Sequence, residues 1–368
     1  MNLAIIVGTR PEIIRLSSTI KLAKKYFKVT LIHTGQNYSY NLNDVFFEDL
    51  GLDKPDHYLD CVKDNIGSTI GDIIKKTFDL FQKIKPDAIL ILGDTNSCLC
   101  AYSAKRLKIP IFHIEAGNRC FDSNVPEEIN RKIIDHISDI NICYMEHARM
   151  NLLNEGLKIQ YTFVVGSPML EVLESIKDKI INSNIIKDLS LNIKQYFIFS
   201  SHREENIDNE KNFNNIIECI NQLAVTYNKK VVFSVHPRTK KKIIEKGIYF
   251  NNNVILSDPF GLIDYCNLQM NSLCVISDSG TLTEESSILK FPAILLRNST
   301  EHPEGIDAGN IIIGNIKWDN LKTSIDIMLQ KKHWNDIDSY NVSDFSYKIC
   351  NIISSYTEIV NKFIWMKN

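Results

Sequence analysis

The stretch NLAIIVGTRPEIIRLSSTIKLAKKY, residues 2–26, decides the fold class of this 368-residue chain. Its first six residues, Asn2–Val7, form a short apolar run that predicts a buried strand. Gly8 permits a tight turn, and Pro11 suits the first position of a helix. From Pro11 to Tyr26 the apolar residues recur at helical spacing. A strand followed at once by a helix is the unit from which parallel sheets are built.

The same alternation continues through the rest of the chain. Helical patterns such as 69–83 and 127–136 separate short β-branched runs, so we predict two doubly wound α/β domains facing a cleft. The polar segment 182–194 looks like a linker, and 343–363 predicts one or two helices. The further predicted strands are 28–33, 87–92, 111–114, 139–143, 162–165, 196–200, 230–235, 253–256, 273–277 and 292–296.

Composition excludes several classes of protein. The chain is 44% hydrophobic and 23% charged, which is typical of globular domains and not of disordered tails. Its formal net charge of −2 does not give the broad positive field of a nucleic-acid binder. The longest apolar runs are far shorter than the ~18–20 residues that span a bilayer, and the first residues lack the features of a secretory signal. Nine scattered cysteines fit a reducing compartment. We therefore expect a cytoplasmic protein without membrane insertion.

Ligands of doubly wound sheets bind beyond the carboxyl ends of the strands, so the residues that follow strands are informative. In the first half, Arg10 would lie near a helix N-terminus, where anions are favoured, although a surface arginine is an equal alternative. Asp94 follows a strand, where an N-cap is the commoner role. Glu115 follows a buried strand and has no obvious structural task, which favours function. Glu127 stands in the first turn of a predicted helix, where acids usually face the helix dipole.

In the second half, several strand ends carry candidate groups, and His236 after the strand 230–235 has the same two interpretations as His202. His202 follows the strand 196–200 and could be a titrating group or a cap. The turn Ser279-Gly280-Thr281 lies between a strand and a helix and predicts phosphate binding through backbone N–H groups. It lacks the GxGxxG pattern and the Walker lysine, so neither a dinucleotide nor a kinase-type site is indicated. Together the strand ends suit an enzyme that acts on a nucleotide diphosphate in an interdomain cleft.

Seven motifs carry a resemblance to a known family: GTRPEIIR (8–15), GDTNS (93–97), HIEAGNR (113–119), PEEINR (126–131), SHREEN (201–206), SDSG…EE (277–285) and TEHPE (300–304). In order and spacing they resemble the UDP-N-acetylglucosamine 2-epimerase family across nearly the whole chain. The resemblance implies a glycosyltransferase-B type fold of two Rossmann-like domains. The N-terminal domain would span 1–172, with a last helix at 350–368 crossing back to it, and the UDP-binding domain would span 173–349. It implies no metal and no nicotinamide cofactor, and we expect a homodimer.

The reaction that the resemblance implies is inversion at C2 of a UDP-N-acetylhexosamine. A base removes the C2 proton, UDP leaves anti to give a 2-acetamidoglucal, and UDP then adds back to the other face. This chemistry needs carboxylates with a raised pKa, which burial and mutual repulsion would supply. Matching the motifs residue by residue implies catalytic roles for Asp94, Glu115, Glu127 and His202.

The resemblance also implies a set of contacts with the UDP group. Arg10 matches an arginine near the diphosphate, Tyr265 an aromatic residue beside uracil, and Glu285 a carboxylate on ribose. Arg15 stands where the family more often has lysine, and His302 stands where arginine is usual. The implied binding residues are Arg10, Arg15, Tyr265, Ser279, Gly280, Thr281, Glu285 and His302.

Two segments, 117–136 and 234–241, look closer to the branch that forms UDP-N-acetyl-L-fucosamine from a 6-deoxy-L precursor. Either branch would supply precursors for surface polysaccharide. The alternatives are a hydrolysing epimerase that releases free N-acetylmannosamine and UDP, a glycosyltransferase of similar fold, and a catalytically silent sugar-nucleotide sensor. A sensor need not keep Asp94, Glu115, Glu127 and His202 together, and this chain has all four.

Overall fold

A computed structural model describes residues 1–35, 47–297 and 299–367 of the chain. The chain forms two compact units. The first contains Met1–Ser175 and Asp338–Asn368, and the second contains Ile176–Ile337. Each unit is a parallel α/β domain, as the alternation of strands and helices predicts.

The first unit is built on a seven-stranded parallel sheet in the order β3-β2-β1-β4-β5-β6-β7. Its central strands are fully buried because their apolar residues are covered on both faces. Its strands are β1 (Asn2–Val7), β2 (Lys28–His33), β3 (His57–Tyr58), β4 (Ala88–Leu92), β5 (Ile111–Ile114), β6 (Ile140–Cys143) and β7 (Thr162–Val164).

The second unit contains a six-stranded parallel sheet in the order β10-β9-β8-β11-β12-β13. Phenylalanines from its first two strands pack with the helices of one face to form a core of their own. Its strands are β8 (Tyr196–Ser200), β9 (Lys230–Ser234), β10 (Val254–Ser257), β11 (Cys274–Ser277), β12 (Ala293–Leu296) and β13 (Ile312–Gly314).

Both sheets reverse their strand order at one point. In the first unit β1 pairs with β2 on one side and β4 on the other, and in the second unit β8 pairs with β9 and β11 in the same way. At such a reversal the two loops that follow the central strands diverge and leave a crevice at the carboxyl edge of the sheet. The loops after β1 and β4, and those after β8 and β11, are therefore the places to look for a site.

The helices connect successive strands, and the last helix returns to the first unit, where Ser346 Oγ lies 3.1 Å from Thr19 Oγ1. No helix among the described residues is long and apolar enough to cross a membrane. The described α-helices are α1 (Arg10–Tyr26), α2 (Ile66–Ile84), α3 (Ala101–Arg106), α4 (Pro126–Ile137), α5 (Glu146–Asn154), α6 (Met169–Ser175), α7 (Lys177–Ile181), α8 (Ile185–Asp188), α9 (Glu204–Ile207), α10 (Glu210–Tyr227), α11 (Pro237–Glu245), α12 (Leu262–Asn271), α13 (Leu282–Leu289), α14 (Pro303–Asp307), α15 (Trp318–Leu329) and α16 (Phe345–Phe363).

Two local features differ from the sequence expectations. The segment 182–194 is part of the second unit and not a linker, since it contains α8 and buries Leu191 in that unit's core. The short edge strands β3 and β13 carry too few residues to show a period, and the sequence does not predict them. Gly8 stands at the predicted turn after β1, and glycine provides space there because a Cβ would lie 1.8 Å from Ser97 Oγ.

Candidate active site

Glu115 lies directly after β5 at the carboxyl edge of the first sheet. Its φ of 67° is in the left-handed region, which a glutamate adopts only when its surroundings impose it, and such strain is common at functional sites. Oε2 accepts a hydrogen bond from Arg15 Nη1 at 2.8 Å, and the Glu115 side chain is only 15% exposed. Arg15 also donates to the hydroxyl of Tyr144 at 3.3 Å. The acid and the arginine thus form a nearly buried ion pair at a strand end.

A buried hydrogen-bond network fixes the loop that carries Glu115. His113 Nδ1 lies 3.0 Å from Asp135 Oδ1, and Arg119 bonds both Asp135 and Glu155 at 2.7 Å. Burial opposes a charged imidazole, but the bond to Asp135 raises the pKa of His113. Burial likewise opposes the Asp135 carboxylate, but the His113 and Arg119 donors hold the pKa of Asp135 below its usual value.

Asp94 follows β4, the strand next to β5. It does not cap the following 3₁₀-helix, since Thr95 stands at the N-cap position. Instead Asp94 Oδ2 lies 2.7 Å from Arg131 Nη2 of α4. The same guanidinium bonds Glu128 Oε2 at 3.0 Å, while Glu127 is exposed in the first turn of the helix. The two strand-end acids, Asp94 and Glu115, therefore each lie beside an arginine. An arginine partner is not part of the expectation that these carboxylates repel one another.

Glu12 is a buried acid that sequence reasoning did not single out. It stands in the first turn of α1, where Oε2 accepts from the backbone N–H groups of Gly8 and Thr9 at 2.6 and 2.7 Å. Oε1 accepts from Thr95 Oγ1 at 2.6 Å and so ties the loop after β1 to the loop after β4. Burial raises the pKa of Glu12 to about 7, because these neutral donors do not offset the loss of hydration. Its TxxE spacing after Thr9 is the capping-box signal that could have found it.

In the second unit, Asp278 follows β11 and is completely buried. Its carboxylate accepts hydrogen bonds from the Ser201 hydroxyl at 2.8 Å, from the backbone N–H groups of His202 and Arg203 at 3.1 Å, and from the Asn206 amide at 2.9 Å. The ring of His202 adds a contact from Nδ1 to Oδ1 at 2.9 Å. Burial alone would raise the pKa of Asp278, but His202 and the other donors hold it well below its usual range.

The predicted phosphate turn lies beside Asp278, between β11 and α13. Ser279 N–H donates to Ser277 Oγ at 3.1 Å, and no side chain among the described residues caps the start of α13. Behind the turn lies the Arg297–Glu301 ion pair, 2.7 Å long, and Arg297 Nε donates to the carbonyl of Asp278 at 2.8 Å. A Cβ at Gly280 would lie 3.2 Å both from Arg297 Nη2 and from Glu301 Oε1. The glycine therefore lets the buried Arg297–Glu301 pair approach the turn, and the backbone N–H groups at the start of α13 are the groups that suit an anion there.

The three other predicted binding residues of this unit have different surroundings. The hydroxyl of Tyr265 lies 3.1 Å from Ser200 Oγ. Glu285 is buried and accepts from Gln269 Nε2 at 2.6 Å. His302 is 2% exposed, with Nδ1 3.1 Å from Glu304 Oε1. Burial opposes its charge, but Glu304 raises the pKa of His302 to about 9. The charge of the His302 ring is therefore stabilised by neighbouring buried acids.

Comparison with known proteins shows the family of the chain. A family model described as UDP-N-acetylglucosamine 2-epimerase matches residues 20–354. A UDP-N-acetylglucosamine 2-epimerase of Methanocaldococcus jannaschii is 39% identical over 342 residues, covering 90% of this chain and 93% of the relative. The chain belongs to the UDP-N-acetylglucosamine 2-epimerase family. It is therefore an isomerase, an epimerase of UDP-sugars.

Solved structures of this epimerase family share the whole fold. A UDP-N-acetylglucosamine 2-epimerase from Rickettsia bellii superposes with a TM-score of 0.92 at 44% identity and covers 100% of both chains. The M. jannaschii epimerase in complex with UDP-GlcNAc and UDP superposes at 0.90 with 36% identity, over 96% of this chain and 99% of that one. A relative named for a different sugar, the UDP-2,3-diacetamido-2,3-dideoxy-D-glucuronate 2-epimerase of Pseudomonas aeruginosa, is 33% identical over 321 residues, or 85% of this chain and 88% of the relative.

Within the epimerase fold, the predicted site residues fall into two groups. Asp94 and the Arg15–Glu115 pair lie at the carboxyl edge of the first sheet, with Arg10 exposed at the start of α1 and Glu127 at the start of α4. His202, Tyr265 and residues 279–281 lie around the ends of β8 and β11. Among the described residues, no group of three or more His, Cys, Asp or Glu side chains is arranged to hold a metal ion.

Proposed function

We propose that this protein interconverts the C2 epimers of a UDP-N-acetylhexosamine without hydrolysing the sugar nucleotide. The observation that carries the proposal is the pair of acids, Asp94 and Glu115, at neighbouring strand ends, each oriented by an arginine at 2.7–2.8 Å. Inversion at C2 needs proton removal on one face of the sugar and proton delivery on the other, and oriented carboxylates serve both. Its relatives are named as 2-epimerases of UDP-sugars, which supports the same reaction class.

The first unit would carry out the proton transfers. Glu115 and Asp94, with Glu127 as the third acid, are the candidate acid and base groups. Arg15 Nη1 donates to Glu115 Oε2 at 2.8 Å, and Asn118 Nδ2 donates to Glu115 Oε1 at 3.4 Å, so both oxygens of the carboxylate are oriented. A fixed carboxylate of this kind can accept a proton without first reorganising, which is what preorganisation contributes to rate.

The second unit would hold the UDP group and stabilise its departure. The turn Ser279–Thr281, the start of α13 and the underlying Arg297 are suited to a diphosphate. His202 would place a donor on the leaving UDP as the C1–O bond breaks, so that the 2-acetamidoglucal forms. Return of UDP to the other face of the glucal completes the epimerisation.

UDP-N-acetylglucosamine and its manno epimer are the favoured substrate pair, since most of the related enzymes carry that name. The 6-deoxy-L series is the second candidate, because segments 117–136 and 234–241 resemble the UDP-N-acetyl-L-fucosamine branch. The gluco/manno pair and the 6-deoxy-L pair require the same reaction steps from the two units and differ only in the sugar.

The deciding experiment is a substrate panel followed by ¹H and ³¹P NMR in D₂O. UDP-N-acetylglucosamine, UDP-N-acetylmannosamine and the 6-deoxy-L relatives are each incubated with the protein. We expect a mixture of C2 epimers of one series, deuterium at C2, and UDP only in trace amounts. Stoichiometric free UDP and free sugar from the outset would make it a hydrolysing epimerase. Saturable binding without deuterium exchange would make it a sensor, and UDP release only with an added acceptor would make it a glycosyltransferase.

Variants separate the roles of the two units. Asp94→Asn, Glu115→Gln and Glu127→Gln should each lower turnover by about 10²-fold or more, the scale of general acid–base groups, and slow C2–H exchange. UDP affinity should change little because these acids would face the sugar. Glu174→Gln, an exposed carboxylate of the same unit, is the matched control and should turn over normally. Native-rate exchange in Glu115→Gln would remove Glu115 from the proton-transfer set.

His202→Asn tests the leaving-group role. We expect turnover to fall by about 10²- to 10³-fold, the scale of one lost preorganised donor, with the melting temperature nearly unchanged. Near-normal turnover with a lowered melting temperature would make His202 a structural residue and move the role to Arg10 or His236.

A further inference from the structure

The two oxygens of the buried Asp278 carboxylate have different partners. Oδ2 accepts from the Ser201 hydroxyl, the backbone N–H groups of His202 and Arg203 and the Asn206 amide, at 2.8–3.1 Å, so it holds the loop after β8. Among the described contacts Oδ1 receives only residue 202: its backbone N–H, shared with Oδ2, at 3.1 Å and its ring Nδ1 at 2.9 Å. The loop is therefore held mainly by Oδ2, and the ring of His202 contacts Oδ1.

This arrangement fixes the imidazole of His202 at two points. The backbone of residue 202 is anchored to the same carboxylate as the ring, so neither the main chain nor the side chain can rotate independently of Asp278. The carboxylate can only accept, so Nδ1 carries the hydrogen that points to it. Nε2 is left on the outer side of a ring that is 54% exposed, while the Asp278 side chain is 0% exposed.

We propose that Asp278 is the positioning residue of His202: it orients the ring so that Nε2 faces the substrate's departing diphosphate. This inference rests on the proposed function, in which His202 acts on the leaving UDP. Asp278 touches no substrate itself, because it is completely buried beneath the loop. Its part is to keep hydrogen on Nδ1 and to balance the positive charge of the doubly protonated ring, which is the form in which Nε2 can donate to the diphosphate.

A purely structural role for Asp278 would make a different use of the carboxylate. Four donors of residues 201–206 bond Oδ2, and none of them belongs to the ring. The Oδ1–Nδ1 contact fixes a half-exposed side chain, which contributes little to the stability of a loop. The contact is explained if the orientation of the ring matters to what Nε2 does.

The decisive variant is Asp278→Asn, since asparagine can keep one oxygen toward the loop and place an amide N–H₂ toward the ring. That group would donate to Nδ1 and force the other tautomer. We expect kcat to fall by about 10²-fold, at the upper end of what loss of an orienting partner costs, with KM for the UDP-sugar little changed. Ser201→Ala is the matched control: it removes one donor to Oδ2, and should lower the melting temperature while kcat stays within about threefold.

A double-variant cycle separates positioning from folding effects. If Asp278 acts through His202, Asp278→Asn should cause no further loss of kcat in a His202→Asn background. An equal loss in both backgrounds would overturn the inference and leave the role of His202 intact. Near-normal turnover of His202→Asn alone would instead overturn the leaving-group role, and the inference with it.

A measurement on the unaltered protein covers the case in which Asp278→Asn does not fold. In the full chain labelled with ¹⁵N-histidine, the ring nitrogens of neutral His202, assigned by their loss in His202→Asn, should show hydrogen on Nδ1 and a bare Nε2. The Nε2–H tautomer in the neutral ring would overturn the proposal.

Discussion

Glu12 and Asp278 occupy corresponding places in two different sheets. Each is a buried carboxyl group at the point where the strand order reverses, and each ties together the loops that follow the two central strands. Glu12 connects the loop after β1 to Thr95 after β4, and Asp278 connects the end of β11 to residues 201–206 after β8. At a strand-order reversal, a carboxyl group in one of the two loops can therefore reach the other loop.

The two groups differ in their partners and therefore in their pKa. Glu12 receives only neutral donors among the described contacts: two backbone N–H groups, two hydroxyls and, at 3.9 Å, the Cys98 thiol. Burial dominates, and its pKa rises to about 7. Asp278 receives two backbone N–H groups, a hydroxyl, an amide and an imidazole. The added donors outweigh the same burial, and the pKa of Asp278 falls well below its usual range.

This difference shows that position and charge are set separately. A strand-order reversal provides the position, and the side chains of the neighbouring loop decide whether the acid is ionised there. In the second unit the partner that compensates the carboxylate is His202, a candidate functional group. In the first unit no such partner faces Glu12 among the described contacts, so the tie between its loops depends on pH.

The largest effect is expected when the compensated acid is removed. Asp278→Ala leaves buried donors without an acceptor, and we expect the second unit to lose about 3–5 kcal/mol of unfolding free energy at pH 7. Hydrogen exchange followed by mass spectrometry on peptides around 196–206 and 274–281 measures this loss separately from the first unit.

Asp258→Ala is the control for this variant. Asp258 is an exposed carboxylate of the same unit, paired with Lys240 at 2.6 Å, and its loss should cost under about 1 kcal/mol. Equal protection from hydrogen exchange in Asp278→Ala and Asp258→Ala would contradict the contrast between Glu12 and Asp278, because Asp278 would then contribute no more than a surface ion pair.

A smaller change in unfolding free energy, one that depends on pH, is expected for Glu12. Its pKa of about 7 in the folded chain lies above the usual 4.5, so the folded state binds more protons than the unfolded state between these pH values. The unfolding free energy of the first unit should therefore fall as pH rises from about 4.5 to 7, by about 2–3 kcal/mol at about 1.4 kcal/mol per pKa unit. Glu12→Gln should abolish this fall and be the more stable protein at pH 8.

Asp278→Asn provides the contrasting titration. A lowered pKa means that the carboxylate of Asp278 stabilises the fold fully above pH ~4 and loses this contribution as pH falls further. The difference between wild type and Asp278→Asn should thus be constant from pH 5 to 8. A Glu12→Gln protein with the same pH dependence as wild type over that range would show that Glu12 is already compensated.

The smallest effects come from deleting one hydroxyl beside each acid. Thr95→Val removes the 2.6 Å bond to Glu12, and Ser201→Ala removes the 2.8 Å bond to Asp278. Each should cost about 1–2 kcal/mol. The cost of Thr95→Val should grow as pH rises through 7, since a hydrogen bond to an ionised acceptor is stronger, whereas that of Ser201→Ala should be the same at pH 5.5 and 8. Urea titrations at both pH values measure this, and a cost of Thr95→Val that does not depend on pH would contradict the assignment of a titrating Glu12.

Much of the fold follows from local patterns. The strands 2–7, 28–33, 111–114 and 196–200 were predicted to the residue, because continuous apolar runs bounded by turn residues need no tertiary information. The edge strands β3 and β13 were missed because two or three residues show no period. The polar composition of segment 182–194 predicts a linker. Tertiary packing instead buries Leu191.

The candidate site divides in the same way. The residue types at the strand ends, such as Glu115 and His202, could be selected from the sequence, and these roles remain predictions. Their partners could not, since Arg15 lies 100 residues from Glu115 along the chain. Glu12 and Asp278 lie within the motifs, but the sequence assigns them no role. A buried acid that holds loops looks the same in sequence as a cap or a turn residue.

The sequence by itself determined the alternation of strands and helices and the chemistry that follows each strand, because both depend on residues close together in the chain. Only the tertiary structure decided which strand ends are neighbours, since strand order depends on packing between distant segments. That order places Thr95 beside Glu12, and His202 beside Asp278 across 76 residues of chain. Burial and these partners, neither of which is a local property, then set a raised pKa in one unit and a lowered pKa in the other.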